Sequence, residues 1–155
     1  LAGLRVGYSI SSEEMASLLM RVKLPFSTTC LGQAAALASL ADQKQVPRSL
    51  KVNSEGLAFL TEKFVDLGFG VVESRANFLL VDTKTDGKAL CGEIERKGLI
   101  VRPMRSFGLP EGFVRITVAT QRENERLVEG LKEVLKGRER KKEVVRNESV
   151  RVEIP

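Results

Sequence analysis

From Phe113 to Ala119 the side chains alternate in character: Val114, Ile116 and Val118 fall on one side, and Phe113, Arg115, Thr117 and Ala119 on the other. A period of two marks a strand, and here it sets Arg115 on a face shared with small or polar groups. A second apolar run, Leu99, Ile100 and Val101, leads into Arg102 and Pro103. An arginine set in a β-branched run is costly to desolvate unless a carboxylate or phosphate lies within hydrogen-bonding reach. That partner is either a protein Asp or Glu or a ligand anion, and the pattern alone leaves both open. Two fixed guanidiniums at two strand ends favour an anionic ligand.

Elsewhere the period is helical. Residues 12–20 form a short helix, with Ser11 or Ser12 as cap and Glu13 and Glu14 in its first turn. Pro25 breaks the chain before a second helix, capped near Ser27 or Thr28 and running through an alanine-rich stretch to about Asp42. Leu50, Leu57, Leu60, Phe64 and Leu67 stripe one face of a helix over 47–67, which Gly68 stops in the left-handed conformation. Strands are expected at 70–73 and 77–82, then a helix over 86–97 closed by Gly98. Thr120 and Glu123 form a capping box for a last helix, with Leu127, Leu131, Val134 and Leu135 on one face and Gly137 at its end. Two strands, helix, two strands, helix describes a small α+β sandwich with helices on one face of a sheet. Arg102 and Arg115 then face away from the helices.

Composition narrows the chemistry. The chain has 155 residues, enough for a core that needs no metal or disulfide staple. It has no histidine and only Cys30 and Cys91, which argues against a zinc site and against Ser-His-Asp or Cys-His nucleophiles. Both cysteines read as buried small residues in a reducing compartment. No apolar run approaches the roughly 20 residues that span a bilayer. The net charge of +5 comes from interspersed residues up to 136, followed by a basic cluster at 138–142 with Glu139 inside it and Glu143 after. Such a run is a solvated helix end or tail more often than a nucleic-acid site, and no binding motif accompanies it.

The segment from Lys97 to Thr120, KGLIVRPMRSFGLPEGFVRITVAT, resembles the C-terminal domain of the histidinol-phosphate aminotransferase family, class-II pyridoxal-phosphate-dependent enzymes of fold type I. Three further segments resemble the same family in the same order: LAGLRVGY at 1–8, which reads as a strand; LPFS at 24–27 with QAAA at 33–36; and ANFLLV at 76–81. Together they cover residues 1 to about 136.

The resemblance implies an α/β protein overall. Residues 1–42 would be the C-terminal end of the large cofactor-binding domain, 43–68 an interdomain helix, and 69–137 the small α+β domain. Residues 138–155 would form a charged tail that departs from the family. The resemblance further implies that Arg5 binds the phosphate of pyridoxal 5'-phosphate, and that Arg102 and Arg115 hold the substrate's phosphate or carboxylate. Arg5 suits that role physically, because Gly3 and Gly7 let backbone and ligand approach closely.

The implied reaction is amino transfer between histidinol phosphate and 2-oxoglutarate in histidine biosynthesis. A homodimer acting on small molecules would carry it out, in the cytoplasm or, for a plant protein, in a plastid. No nucleic acid or membrane partner is implied. The family's Schiff-base lysine falls before Leu1, and neither Lys23 nor Lys51 has the motif context to replace it, so the chain reads as a fragment that does not transaminate alone. Related readings are an aromatic amino acid aminotransferase, a phosphothreonine decarboxylase, or a non-catalytic small-domain module. Tyr8 reads as packing and Asn77 as edge-strand hydrogen bonding.

Overall fold

The computed structural model describes residues 2–151, with side chains described over 3–140. Contacts divide the chain into two units, Leu1–Ser49 and Leu50–Pro155, and the division falls inside one long helix.

In the first unit the Ser12 hydroxyl accepts the Met15 N–H at 3.3 Å and opens α1, Glu13–Val22, with Glu13 and Glu14 in the first turn. Thr29, rather than Ser27 or Thr28, caps α2, Cys30–Ala41, because its extended backbone lets its hydroxyl accept the Gly32 N–H at 3.0 Å. The next helix, α3, spans Gln45–Asp66 and starts before Pro47, because the Asp42 carboxylate accepts the backbone N–H groups of Lys44 and Gln45.

Residues 1–8 do not form the expected strand. Ala2–Leu4 is a single 3-10 turn, and Arg5 follows with φ +55°. A strand needs a ladder partner, and none lies among the described residues of this unit. Val6 packs on Gly32 instead, where a Cβ would come within 2.6 Å of the Val6 Cγ2. Gly32 is the one buried residue among those described in this unit, while Ile10 is 91% and Phe26 100% exposed. The unit therefore has no core of its own. Cys30, expected to be buried, sits exposed in the first turn of α2.

The second unit carries the core. Its strands are β1, Gly70–Val72; β2, Phe78–Asp82; β3, Arg102–Pro103; and β4, Phe113–Thr117. They form one antiparallel sheet in the order β1-β2-β4-β3. Leu79 and Val81 of β2 and Val114 and Ile116 of β4 point into the core, as the period of two requires. There they meet Leu60 and Phe64 of α3, Leu90 and Ile94 of α4 (Gly87–Glu95), and Leu127 and Leu131 of α5 (Gln121–Arg151). The helices thus cover one face of the sheet, as expected. Leu50, at the far end of the predicted stripe, is 64% exposed, so burial begins deeper in α3. Gly68 and Gly98 take φ +78° and +72° after α3 and α4, and Asp86 caps α4 by accepting the Lys88 and Ala89 N–H groups.

The start of α5 is tied down from both sides. The Glu123 carboxylate accepts the Thr120 N–H at 3.0 Å and the Thr120 hydroxyl at 2.6 Å. Asn124 is buried, and its side-chain amide accepts the Ala119 N–H and donates to the Ala119 carbonyl. Gly137 does not end this helix, which runs on to Arg151. Glycine inside a helix costs about 1 kcal/mol relative to alanine. Here Arg138 offsets that cost: its guanidinium grips Glu93 of α4 at 3.0–3.2 Å and donates to the Thr85 hydroxyl at 3.3 Å. Arg138 is therefore a packed anchor and not part of a solvated tail. Of the expected tail at 138–155, residues 152–155 lie outside those described.

Two outcomes are expected. Asn124→Ala strips the Ala119 amide and carbonyl of their partner in a buried setting, and urea unfolding should show a loss of about 1–3 kcal/mol. The Thr120 hydroxyl and amide hold the Glu123 carboxyl below its ordinary value. A folded-state value below the unfolded one gives stability that is present above the ordinary glutamate range and lost as pH falls through the folded value. Glu123→Gln should therefore flatten the acid limb of the stability profile and leave its neutral-pH shape unchanged.

Candidate functional site

The face of the sheet turned away from the helices is set by the same alternation. Across β4 and β2, Arg115 stands opposite Leu80, Thr117 opposite Phe78, and Phe113 opposite Asp82. On its other side β4 pairs with β3, and the register puts Arg102 directly opposite Arg115. Leu99, Ile100 and Val101 were expected to extend this strand, but only Arg102 and Pro103 join the ladder. The two arginines predicted from sequence are therefore cross-strand neighbours. Directly opposed like charges repel, so this register carries an electrostatic cost.

Among the described residues, neither guanidinium forms a salt bridge or hydrogen bond with the protein. Each instead lies over a phenyl ring. The Arg115 Cζ is 5.3 Å from the centroid of Phe78, and the Arg102 Cζ is 5.6 Å from that of Phe107. The sequence left Arg115 with a choice between a protein carboxylate and a ligand anion. The structure supplies no carboxylate, only a ring, and Arg115 is half-buried rather than enclosed.

Phe107 belongs to the β3–β4 connection, which is closely fixed. The residues Arg105–Phe107 make one 3-10 turn, and Gly108 closes it at φ +83°, a conformation that side chains other than glycine rarely adopt. The Met104 N–H donates to the Phe113 carbonyl at 3.0 Å, and Arg105 forms an ion pair with Glu111. Beyond this loop the Thr83 hydroxyl and amide both donate to the Gly112 carbonyl, and the Gly87 amide to that of Glu111. These bonds moor the connection to the β2–α4 turn. Neither phenyl ring stands out in the sequence as part of a site; for Phe107 the available signal is its place two residues after Arg105, just ahead of a Gly-Leu-Pro turn.

Arg5 lies in the first unit. Its side chain is exposed, and its left-handed backbone turns the chain between Gly3 and Gly7. Tyr8, expected to be half-buried, is exposed. Asn77 accepts the Val118 N–H through its backbone carbonyl at 2.9 Å, and Asn53 reaches across to the Ala76 carbonyl, fixing the entry to β2.

Two further groups are poorly suited to act as nucleophiles. Burial pushes the Cys91 thiol up to about 11, so it is protonated at neutral pH. A hydrogen bond to Glu62 raises the Lys63 ammonium, the opposite of what a reactive amine requires. Among the described residues no cluster of His, Cys, Asp or Glu could hold a metal ion, and no helix is long and apolar enough to cross a membrane. What the second unit presents is two guanidiniums side by side on the open face of the sheet, with donors that no described residue claims.

The family model described as aminotransferase class I and II matches residues 1–131. Over 135 residues the chain is 45% identical to histidinol-phosphate aminotransferase 1 of Nitrosococcus oceani and 42% identical to the histidinol-phosphate aminotransferase of Nitratidesulfovibrio vulgaris. Each alignment covers 87% of this chain and 36% of the relative, so the chain spans little more than a third of their length. The solved histidinol-phosphate aminotransferase of Clostridium acetobutylicum superposes with a TM-score of 0.71 at 25% identity, covering 79% of this chain and 38% of that one. That of Sinorhizobium meliloti, solved in complex with pyridoxal-5'-phosphate, gives 0.70 at 26% identity over 88% of this chain and 38% of that one. With the matched model covering both units, and the fold shared with solved members of fold type I, the chain belongs to the class I and II aminotransferase family.

Proposed function

We propose that this chain supplies the substrate-anion site, and part of the cofactor site, of a pyridoxal-phosphate-dependent aminotransferase that moves an amino group between histidinol phosphate and 2-oxoglutarate. The observation that carries this reading is the Arg102–Arg115 register. A phosphate on one substrate and a carboxylate on the other are both anions that guanidinium forks accept, so one arginine pair serves both halves of the reaction. The names of the relatives support histidinol phosphate as the substrate.

Arg5 would hold the cofactor's phosphate. The fit rests on its donor chemistry: an exposed forked guanidinium on a turn flanked by glycines suits a phosphate group. When bound, the cofactor supplies an electron sink for carbanion chemistry at the substrate's amino-bearing carbon. No lysine of this chain is assigned the covalent role. In this reading residues 1–42 end the large domain, 43–68 bridge to the small domain at 69–137, and Arg102 and Arg115 bind and orient. The working form is a cytoplasmic homodimer; the bacterial sources of the relatives support the compartment, and the dimer is carried over from the family.

The test is kinetic, in the complete protein. Each charge-assisted hydrogen bond contributes about 1.5–3 kcal/mol, so Arg115→Ala should lower kcat/KM for histidinol phosphate roughly ten- to a hundredfold. Arg102→Ala should act in the same direction, with Arg→Lys at either site recovering only part of the loss. Turnover unchanged in both alanine variants would refute the assignment.

A further inference from the structure

The arginine pair raises a question of positioning that its charge does not answer. Two guanidiniums opposite one another repel, and both are long, flexible side chains that lose rotamer freedom when they grip a ligand. A protein carboxylate between them would hold them in place, but it would occupy the same donors that an incoming anion needs.

The acids that flank the pair are already taken. Asp82, on the open face opposite Phe113, binds Lys84 at 2.7 Å, and Glu111, in the β3–β4 connection, pairs with Arg105. What touches the two guanidiniums is aromatic: Phe78 under Arg115 and Phe107 under Arg102. A ring attracts a cation through its face and accepts no hydrogen bond in the guanidinium plane, so it restrains the group without using the N–H fork.

Phe107 is the more telling of the two. It is 59% exposed, and such a large apolar ring gains little from burial there. Yet the turn that presents it is fixed by the Phe107 N–H to the Met104 carbonyl, the Gly108 N–H to the Arg105 carbonyl, and the Met104 N–H to the Phe113 carbonyl, each 3.0 Å.

We propose that Phe107 and Phe78 are positioning residues for the arginine pair, each ring restraining one guanidinium while leaving its N–H groups to an anion. The inference rests on the reading that Arg102 and Arg115 bind the substrate's anionic group. It adds a reason why that pair stays both ordered and unneutralised, and it makes the β3–β4 turn part of the site's specificity for anions.

The test uses the complete protein with its cofactor bound, so that the Arg5 position is already occupied, inorganic phosphate as the probe, and two readouts: the phosphate dissociation constant, and the NMR relaxation of the Arg102 and Arg115 Nε–Hε groups. Phe107→Leu should weaken phosphate binding about two- to fivefold and raise the mobility of the Arg102 side chain, while Phe107→Tyr preserves both. Phe78→Leu should do the same to Arg115, and its folding is checked by an unchanged amide spectrum in the helices. A purely structural role would alter the melting temperature without this residue-specific pairing of ring and arginine. Phosphate binding and arginine mobility that both stay at parent values in the leucine variants overturn the positioning role. If the parent protein binds no phosphate, or if Arg102→Ala and Arg115→Ala bind it as the parent does, the anion-site reading fails and the anion-positioning role falls with it. The mobility data then still report whether the rings restrain the arginines.

Discussion

The pairing of Arg102 with Arg115 across β3 and β4 is the constraint on which the charged open face of the sheet depends. One residue of slip would turn an arginine from the open face toward the helices, because side chains alternate at every step along a strand. Register is therefore what brings two arginines, thirteen positions apart in sequence, side by side. It is specified by the buried partners: Val114 and Ile116 cannot leave the core without exposing the face that α3, α4 and α5 cover. The electrostatic cost of two opposed cations is thus imposed by hydrophobic burial elsewhere.

The rest of the second unit holds that register under load. Asn124 and the Thr120–Glu123 contacts fix the corner where β4 passes into α5. Thr83 and Gly87 moor the β3–β4 connection to the opposite turn. Arg138 ties the continuation of α5 to α4 through Glu93. These are polar bonds at the edges of an apolar core, and each leaves the open face clear. The first unit is built differently: its helices are well capped, yet apolar side chains such as Ile10 and Phe26 remain in solvent.

Much of this was legible in the sequence, where a local rule and the tertiary structure agreed. Alternation from Phe113 to Thr117 gave the buried and open faces, and the cap at Ser12 and the stop at Gly68 followed from their chemistry. The readings that failed were those in which a distant residue decides. Residues 1–8 look like a strand, but a strand needs a neighbouring strand to pair with. Gly137 looks like a helix end, but Glu93, 45 residues before Arg138, carries the helix past it. Both arginines were visible as site candidates. Their mutual register was not, because pairing depends on where a strand starts, and β3 is only two residues long. The rings beneath them were hidden for the same reason: Phe78 reaches Arg115 from a neighbouring strand, and Phe107 reaches Arg102 by the fold of a turn.

The central claim is that Arg102 and Arg115 act as one anion site. A double-mutant cycle on phosphate binding by the complete, cofactor-loaded protein, comparing Arg102→Ala, Arg115→Ala and the double variant by calorimetry, tests it most directly. If one anion bridges both guanidiniums, either single substitution removes most of the binding and the second adds little, giving a clear coupling energy. Strictly additive losses would mean two independent surface charges, and the account of a single paired site would be wrong.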